Sequence, residues 1–173
     1  MTQARASILN GNPHREERDD LIRLVEHARA RTVFEFGTFN GATSAILSAI
    51  PTVEQVWTLD IPAGITPSLP MLDIDLSYLY FDPRLQLPAN RKVTRLWGDS
   101  AAFDFSPYYG RCDVVFVMGA HSLPYCRNDL AQAVKLASPG GLVVWHAGTP
   151  GPVEAIAREY DVFMMGARMA VVM

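Results

Sequence analysis

The sequence predicts an α/β fold in which a mostly parallel seven-stranded sheet carries helices on both faces. Short apolar runs alternate along the chain with longer stretches of helical periodicity, and this alternation is typical of a parallel sheet covered by helices. The predicted strands are apolar on both faces, as are strands buried inside a parallel sheet. The last two apolar runs are separated only by a turn, which predicts a C-terminal antiparallel hairpin. The 173 residues suit one domain, 1–173.

The first predicted helix spans Arg15–Ala30. Leu21, Leu24 and Val25 recur there at helical spacing, with charged residues between the apolar ones. The polar residues 1–13 before this helix are expected to form a loose lead-in.

Five parallel strands and three further helices are predicted after the first helix. Each strand is a short apolar run, and most of these runs stop at a glycine or an acidic residue. The strands are expected at Thr32–Phe36, Gln55–Asp60, Lys92–Trp97, Asp113–Met118 and Leu142–His146. The helices are expected at Gly41–Ile50, Pro124–Ala137 and Pro152–Tyr160. The hairpin strands are expected at Val162–Met165 and Arg168–Met173, joined by a turn at Gly166.

The segment Ile61–Asn90 interrupts this order. Its five prolines make long regular elements improbable, although the apolar and aromatic stretch Met71–Phe81 could form a short helix or strand. A long irregular segment in a compact domain is more often a lid or a substrate loop than a spacer. A surface excursion held in place by its aromatic residues is an equal alternative.

The composition argues against several classes of function. The net charge is −3 and no run of Lys or Arg occurs, which argues against a domain that neutralises nucleic-acid phosphates. No secretory signal precedes the first helix and no apolar run could span a bilayer, so neither export nor membrane binding is expected. Cys112 and Cys126 match no metal-ligand spacing, which predicts two reduced thiols in a cytoplasmic protein.

Polar side chains are concentrated where the predicted strands end. In an open parallel sheet, ligands bind beyond the carboxyl ends of the strands. The residues at those ends are Glu35, Asp60, Asp99, Met118, His121 and His146. A ligand site is therefore expected at this edge of the sheet.

The turn after the first strand contains two glycines, Gly37 and Gly41, and an acid, Glu35, precedes the first of them. Glycines allow a tight turn and a close approach of a ligand to the backbone. The dinucleotide-binding fingerprint needs a third glycine to seat a pyrophosphate on the helix. The expected ligand therefore lacks a pyrophosphate and carries a positive charge, which a carboxylate favours. The alternative for Glu35 is a carboxylate that caps a neighbouring loop.

Asp60 and Asp99 have more specific expected roles. Asp60 is placed to accept hydrogen bonds from both ribose hydroxyls of a bound nucleoside, and its alternative is an ordinary loop aspartate before Pro62. Asp99 and Ser100 could bind the amino group and a ring nitrogen of adenine, or could cap the element that follows.

Several segments resemble class I S-adenosylmethionine-dependent methyltransferases, from about Leu21 to the C-terminus. The most specific stretches are Gly119-Ala120-His121-Ser122, Asn128-Asp129-Leu130, Ser138-Pro139-Gly140-Gly141 and Trp145-His146. Their order and spacing are most similar to the branch that contains the macrocin O-methyltransferases and the cephalosporin-hydroxylase-like proteins. The resemblance implies a Rossmann-like class I methyltransferase fold, S-adenosylmethionine as cofactor and methyl transfer to oxygen. It also implies an oligomer in many members, here a homodimer.

The resemblance implies roles for the residues of the strand ends. Those that would hold the methionine part of the cofactor are Glu35, Gly37, Thr38, Phe39, Asn40 and Gly41. Asp60, with Ile61, would hold the ribose, and Asp99 with Ser100 would hold the adenine.

Two positions depart from that branch. Its members commonly have an acid before the Gly-x-His motif and another after Trp-His, and these acids help to hold a divalent metal. Met118 and Ala147 stand at these positions in this chain. A thioether and a methyl group cannot replace carboxylates as ligands of Mg²⁺, so no catalytic metal is expected.

A sulfonium methyl group is already activated, so the protein has to orient the acceptor and remove its proton. His121 and His146 are the candidates for taking up that proton, and His121 is favoured because it leads the loop after the fourth strand. Each could instead be a structural histidine bonded to the backbone. Tyr125 and Asp129 are expected to face outward or to cap the following helix.

The leading hypothesis is metal-independent methyl transfer to a small-molecule acceptor. A methyltransferase-like protein that binds S-adenosylmethionine or a partner without catalysis is the second, because both expected acids are missing. A nicotinamide-dependent oxidoreductase is the third, and the missing third glycine argues against it. The composition of Ile61–Asn90 favours an apolar or aromatic acceptor.

Overall fold

The structure, a computed structural model, describes residues 15–72, 90–148, 150–165 and 168–172. Within these ranges the helices are α1 (Arg15–His27), α2 (Ala42–Ala49), α3 (Leu123–Leu136) and α4 (Pro150–Ile156), with a short 3-10 helix at Ser106–Tyr108. The strands are β1 (Thr32–Phe36), β2 (Gln55–Asp60), β3 (Val93–Trp97), β4 (Cys112–Val117), β5 (Ala137–His146), β6 (Val162–Met165) and β7 (Met169–Val172). The predicted lead-in 1–13, most of Met71–Phe81 and the turn at Gly166 lie outside the described residues.

The seven strands form one sheet in the order β3-β2-β1-β4-β5-β7-β6. Strands β1 to β5 pair in parallel, whereas β7 is antiparallel to both β5 and β6. The predicted sheet, mostly parallel with a C-terminal antiparallel hairpin, is therefore confirmed. The chain runs from β1 to β2 and β3 and then crosses to the other side of β1, where β4 lies. Open α/β sheets bind ligands in the crevice at such a switch in strand order.

Helices cover each face of the sheet because successive side chains of a strand point to opposite faces. Phe34 and Phe36 of β1 belong to one apolar cluster, together with Leu130 of α3 and Ile156 of α4. Val33 belongs to a second cluster, which includes residues of α1 and α2.

The second face also carries the candidate polar residues. Glu35 alternates with the phenylalanines of β1 and so shares the face of Val33, and His146 shares the face of Val144 in β5. Both side chains therefore project toward the side that α1 and α2 cover.

Strand β5 begins at Ala137 rather than at the predicted Leu142. Ala137 pairs with Cys112, and the register then shifts before regular pairing resumes between Val114 and Leu142. The intervening Pro139-Gly140-Gly141 is disfavoured in a regular strand. The sequence pattern therefore marked only the regular part of β5.

The ends of two helices also differ from the prediction. The first helix ends at His27 rather than Ala30, and α4 spans Pro150–Ile156 rather than 152–160, because residues 157–160 form turns and a bend. Among the described residues, no helix is both long and apolar enough to cross a bilayer.

The described part of the proline-rich segment, residues 61–72, contains turns and bends and no helix or strand. Two hydrogen bonds fasten it to the carboxyl edge of the sheet. Ser68 N donates to Asp99 Oδ2 over 2.6 Å, and Ser122 Oγ donates to Pro70 O over 2.7 Å. The role of the whole segment as a lid or substrate loop stays a prediction.

Candidate functional site

The turn after β1 has a backbone conformation that most residues rarely adopt. Gly37, Phe39 and Gly41 have φ angles of 87°, 44° and 74°, in the left-handed region that favours glycine. Gly41 N donates to Thr38 O over 2.8 Å and closes the turn. Asn40 Oδ1 accepts a hydrogen bond of 3.0 Å from the first backbone amide of α2. Both glycines of the predicted motif therefore lie where the backbone conformation favours glycine.

Gly37 also lies against the end of β4. A Cβ atom at this position would lie 2.3 Å from Met118 O, which would force the backbone to shift. Gly37 N donates to Leu59 O over 2.8 Å, and Met118 N donates to Phe36 O over 3.0 Å. The turn is therefore wedged between the ends of β2 and β4.

Glu35 is buried beneath this turn, with a relative exposure of 0%. Its Oε2 accepts hydrogen bonds from Ser44 Oγ and from Thr58 Oγ1, the latter over 2.6 Å, so its partners lie on α2 and β2 rather than on a loop. Its Oε1 has no hydrogen-bond partner among the described residues. Burial raises the pKa of Glu35 to about 7, although the two hydroxyl groups lower it. A positively charged or hydrogen-bonding ligand would stabilise such a carboxylate.

Asp60 is the last residue of β2, and its carboxylate accepts a hydrogen bond from the turn that follows β1. Phe39 N donates to Asp60 Oδ2 over 2.7 Å, and Ile61 N donates to Asp60 Oδ1 over 2.9 Å. Burial raises the pKa of Asp60, while the two amides and the Arg95 guanidinium work to lower it. Each carboxylate oxygen has a second lone pair, so the half-buried Asp60 can accept further hydrogen bonds from a ligand. The structure thus brings together Phe39, Asp60 and Ile61, three of the residues predicted to bind the cofactor.

Arg95 on β3 is a site residue that the sequence analysis missed. Burial lowers the pKa of Arg95, whereas the carboxylates of Asp60 and Glu35 raise it. Its Nη2 donates to Phe39 O over 3.5 Å, and its guanidinium lies 4.1 Å from the centre of the Trp97 ring. A cation within an otherwise apolar strand was the signal that could have found it.

Asp99, after β3, is bound by three groups of the chain itself. Ser68 N donates to Oδ2 over 2.6 Å, while Ala101 N and the Tyr125 hydroxyl donate to Oδ1 over 2.9 and 2.8 Å. Burial works to raise the pKa of Asp99, but these hydrogen bonds outweigh burial and lower it. The Ser68 side chain donates a further hydrogen bond, so groups of the chain itself fill the about four acceptor positions of this carboxylate. The capping role is observed, and the adenine contact stays a prediction.

The expectation that Tyr125 and Asp129 face outward is wrong, because both side chains are buried. Burial raises the pKa of Asp129 to about 7, while hydrogen bonds from the Ser100 and Asn128 side chains lower it. Ser100, predicted to bind adenine, is therefore also engaged by the chain. Helical spacing predicted the helix but could not show that its polar residues pair with Asp99 and Ser100.

His146 ends β5 and has a relative exposure of 8%. Its Nε2 lies 3.6 Å from Glu17 Oε2, an ion-pair distance when the imidazole is protonated. Neither ring nitrogen has a hydrogen-bond partner in the described part of the chain, so His146 is not the backbone-bonded histidine considered as its alternative. Glu17, buried on α1, also lies 3.9 Å from Arg168 Nε. The sequence analysis missed Glu17 because it is one of many charges on an amphipathic helix.

His121 lies beside His146, with the ring centroids 5.9 Å apart and the ring planes at 81°. Gly148 borders both rings. A Cβ atom at position 148 would lie 2.9 Å from His146 Cε1, 3.2 Å from His146 Nδ1 and 3.6 Å from His121 Cδ2. The structure therefore brings the two predicted catalytic histidines together, and a glycine keeps a side chain out of the space beside Nδ1.

Met118 and Ala147, where the resembling enzymes have metal-binding acids, both pack in apolar surroundings. Within the described ranges, no group of three or more His, Cys, Asp or Glu could hold a metal ion. A methionine and an alanine at these two positions do not fit the metal centre of the resembling enzymes. The metal independence of this chain stays a prediction.

No protein-family model matches the chain, and no curated protein matches it. Several solved structures are similar in fold. An O-methyltransferase from Bacillus cereus in complex with SAH is 18% identical, with a TM-score of 0.59 over 98% of this chain and 86% of that chain. An SAH-bound methyltransferase from Podospora anserina is 14% identical, with a TM-score of 0.61 over 94% of this chain and 80% of that chain.

A methyltransferase of the mycinamycin biosynthetic pathway, solved with Mg, SAH and mycinamycin VI, is 15% identical, with a TM-score of 0.59 over 89% of this chain and 48% of that chain. These likenesses confirm the predicted Rossmann-like methyltransferase fold. The narrower likeness to the macrocin O-methyltransferase and cephalosporin-hydroxylase-like branch stays a prediction.

Proposed function

We propose that this chain transfers a methyl group from S-adenosylmethionine to a hydroxyl group of a small molecule, without a catalytic metal. The observation that carries the proposal is Asp60, a half-buried carboxylate tied by two backbone amides to a left-handed turn above the buried Glu35. An acid at this strand end suits the ribose hydroxyls of a nucleoside. The methyltransferases of this fold that were solved with SAH support the choice of nucleoside.

The residues of the turn fit the cofactor. Those that would hold its methionine part are Glu35, Gly37, Thr38, Phe39, Asn40 and Gly41. Glu35 Oε1, buried without a partner among the described residues, suits a positively charged ligand because a nearby cation favours the ionised carboxylate. Asp60 and Ile61 would hold the ribose. Asp99 and Ser100 would hold the adenine.

When bound, S-adenosylmethionine supplies a methyl group whose bond to sulfur breaks, with the electron pair left on sulfur, as the acceptor oxygen bonds to that carbon. The chain itself has to orient the acceptor and take up its proton. Met118, which follows β4, lies against Gly37 in the turn after β1. His121 comes three residues later in the same loop, and its ring lies beside that of His146. This loop therefore connects the histidine pair to the proposed cofactor residues. His146 Nδ1, which has no partner in the described part of the chain, can take up the proton, so we assign this role to His146 rather than to His121, which the sequence analysis favoured.

Calorimetry with S-adenosylhomocysteine tests this proposal. The wild type should bind, and Asp60→Asn should bind more weakly by roughly ten- to a hundredfold, because hydrogen bonds to a charged group contribute about 1.5–3 kcal/mol. Binding should also raise the melting temperature of the wild type.

Asp113→Asn is the matched control. Asp113 accepts hydrogen bonds of 2.8 and 3.0 Å from the backbone amides of Arg31 and Thr32 at the opposite edge of the sheet. This variant loses comparable hydrogen bonds but should bind S-adenosylhomocysteine as the wild type does. Equal affinity of Asp60→Asn and the wild type would exclude the ribose role, and a wild type that does not bind would exclude the proposal.

A second candidate function is cofactor or partner binding without catalysis. The specific observation in its favour is that Met118 and Ala147, both in apolar surroundings, stand where the resembling enzymes have acids. Binding of S-adenosylhomocysteine without methyl transfer to any hydroxylated small molecule would favour this candidate. The small-molecule acceptor, the homodimer and the cytoplasmic location stay predictions.

A further inference from the structure

The N-terminal helix brings a carboxylate to the candidate proton acceptor. The Glu17 and His146 side chains are 10% and 9% exposed, and Glu17 Oε2 lies 3.6 Å from His146 Nε2. Charges attract more strongly in such a poorly hydrated environment than in water. Neither the strand-end pattern nor the resemblance pointed to Glu17.

A fixed cation lies on the other side of this carboxylate. Arg168 Nε is 3.9 Å from Glu17 Oε1, and Arg168 O accepts a 2.7 Å hydrogen bond from Ala147 N, which ties the arginine to the end of β5. In the described part of the chain, the charged or titratable groups that face His146 are Glu17 from α1, Arg168 from the hairpin and His121 from the loop after β4. Glu17 therefore lies between a permanent cation and a titratable ring.

We propose, on the basis of the proposed function, that Glu17 is a positioning residue for His146. Its carboxylate holds the Nε2 side of the ring and stabilises the imidazolium, so that Nδ1 is the atom that accepts the acceptor's hydroxyl proton. The O–H bond breaks, the proton moves to Nδ1, and the imidazolium later releases it to solvent. Gly148 borders the same atom, because a Cβ atom there would lie 3.2 Å from Nδ1.

The test follows the His146 ring protons by NMR as the pH is raised, in the whole chain. In Glu17→Gln the midpoint of the His146 titration should move to lower pH, because an opposite charge within about 4–6 Å favours the protonated ring. In Arg168→Gln the midpoint should move to higher pH, because the carboxylate then acts on His146 without a competing cation. The two variants should shift the midpoint in opposite directions. Either variant therefore tests the proposal by itself if the other does not fold.

Glu26→Gln is the matched control, since it makes the same substitution at an exposed position of α1. It should leave the His146 midpoint unchanged. A folded Glu17→Gln with the wild-type midpoint, or a folded Arg168→Gln whose midpoint falls or stays unchanged, would overturn the proposal.

A second measurement identifies the basic atom. Above the midpoint, nitrogen-15 spectra of the wild type should show the ring proton of His146 on Nε2, facing Glu17, and the lone pair on Nδ1. A proton on Nδ1 would overturn the proposal. Calorimetry with S-adenosylhomocysteine separates failure of the proposed function from failure of the role of Glu17. If the wild type does not bind, the proposed function is excluded. If the wild type binds normally and Glu17→Gln has the wild-type His146 midpoint, only the role of Glu17 is excluded.

Discussion

At the scale of single residues, Glu35 is a carboxyl group that water does not reach. Its pKa of about 7 means that near neutral pH about half of the molecules carry the proton. A cation bound nearby would favour the ionised form and would release that proton. Binding of a positively charged ligand beside Glu35 would therefore be coupled to proton release.

The same burial predicts how stability depends on pH. In the unfolded chain a glutamate has a pKa of about 4.3, so between pH 5 and 7 the folded state holds more protons than the unfolded state. The free energy of unfolding should then fall as the pH rises, by up to about 1.4 kcal/mol per pH unit for each such group. Asp129, with a pKa of about 7, acts in the same direction. Glu35→Gln should make this fall shallower in urea unfolding measured at pH 5, 6 and 7.

Asp104→Asn is the control for this measurement. Hydrogen bonds from Ser106 lower the pKa of Asp104, so its contribution is lost only at a lower pH, as the pH falls through the folded-state pKa. This variant should keep the wild-type slope between pH 5 and 7. The same slope in Glu35→Gln as in the wild type would contradict the assignment of a raised pKa.

The sequence predicted the residues at the strand ends better than it predicted their partners. Glu35, Asp60 and His146 could be found because the carboxyl ends of parallel strands meet at one edge. Glu17 could not, because nothing in its helix shows that α1 reaches the end of β5. Arg95 was missed because its two acidic neighbours are distant in sequence.

At the scale of secondary structure elements, the turn between β1 and α2 depends on Gly37. Gly37→Ala should destabilise the protein by more than about 1–2 kcal/mol, because a left-handed φ of 87° is costly for alanine and its Cβ would lie 2.3 Å from Met118 O. The affinity for S-adenosylhomocysteine should fall as well, since the turn must move away from β4. Denaturant unfolding and calorimetry measure the two effects.

Gly110→Ala separates backbone strain from the clash. Gly110 has a φ of 67°, but a Cβ atom there would meet nothing within 4 Å, and it precedes β4 at the far edge of the sheet. This variant should cost only about 1–2 kcal/mol and should bind S-adenosylhomocysteine normally. If Gly37→Ala costs no more than Gly110→Ala, the contact with Met118 is not what requires the glycine.

Element boundaries were predictable where the pattern was regular. Strand β1 and the hairpin strand β6 were predicted at their observed bounds, because each is a short, mostly apolar run that a glycine follows within two residues. The start of β5 was not, because Pro139-Gly140-Gly141 lies within a strand that changes register. Local propensity cannot show that a neighbouring strand will accept an irregular partner.

At the scale of the whole molecule, the two positions that hold metal-binding acids in the resembling enzymes hold no acid in this chain. We expect Mg²⁺ to leave the melting temperature unchanged, because a hard cation needs anionic oxygens and Met118 and Ala147 offer none. Methyl transfer, measured by release of S-adenosylhomocysteine, should be the same with EDTA as with added Mg²⁺. Activity lost with EDTA and restored by Mg²⁺ would contradict this prediction.

The fold could be predicted because alternating strands and helices allow few arrangements. The alternation does not specify which strands are neighbours, and the observed pairing of β1 with both β2 and β4 brings Asp60 and the loop of His121 to one crevice. The depth of Asp129 and Tyr125 was not predictable, because it depends on how α3 packs on the sheet.

The position of β1 at the centre of the sheet has a consequence for how the chain folds during synthesis. Val33 pairs with Val56 on one side and with the much later Val114 on the other, so the nascent chain presents an unpaired apolar strand edge until β4 leaves the ribosome. Such long-range pairing slows folding and exposes intermediates to aggregation. Because Gly37 lies against Met118, one side of the turn between β1 and α2 stays uncovered before that moment. A chain interrupted before β4 would therefore contain all of the proposed cofactor residues and still lack the strand against which their turn packs.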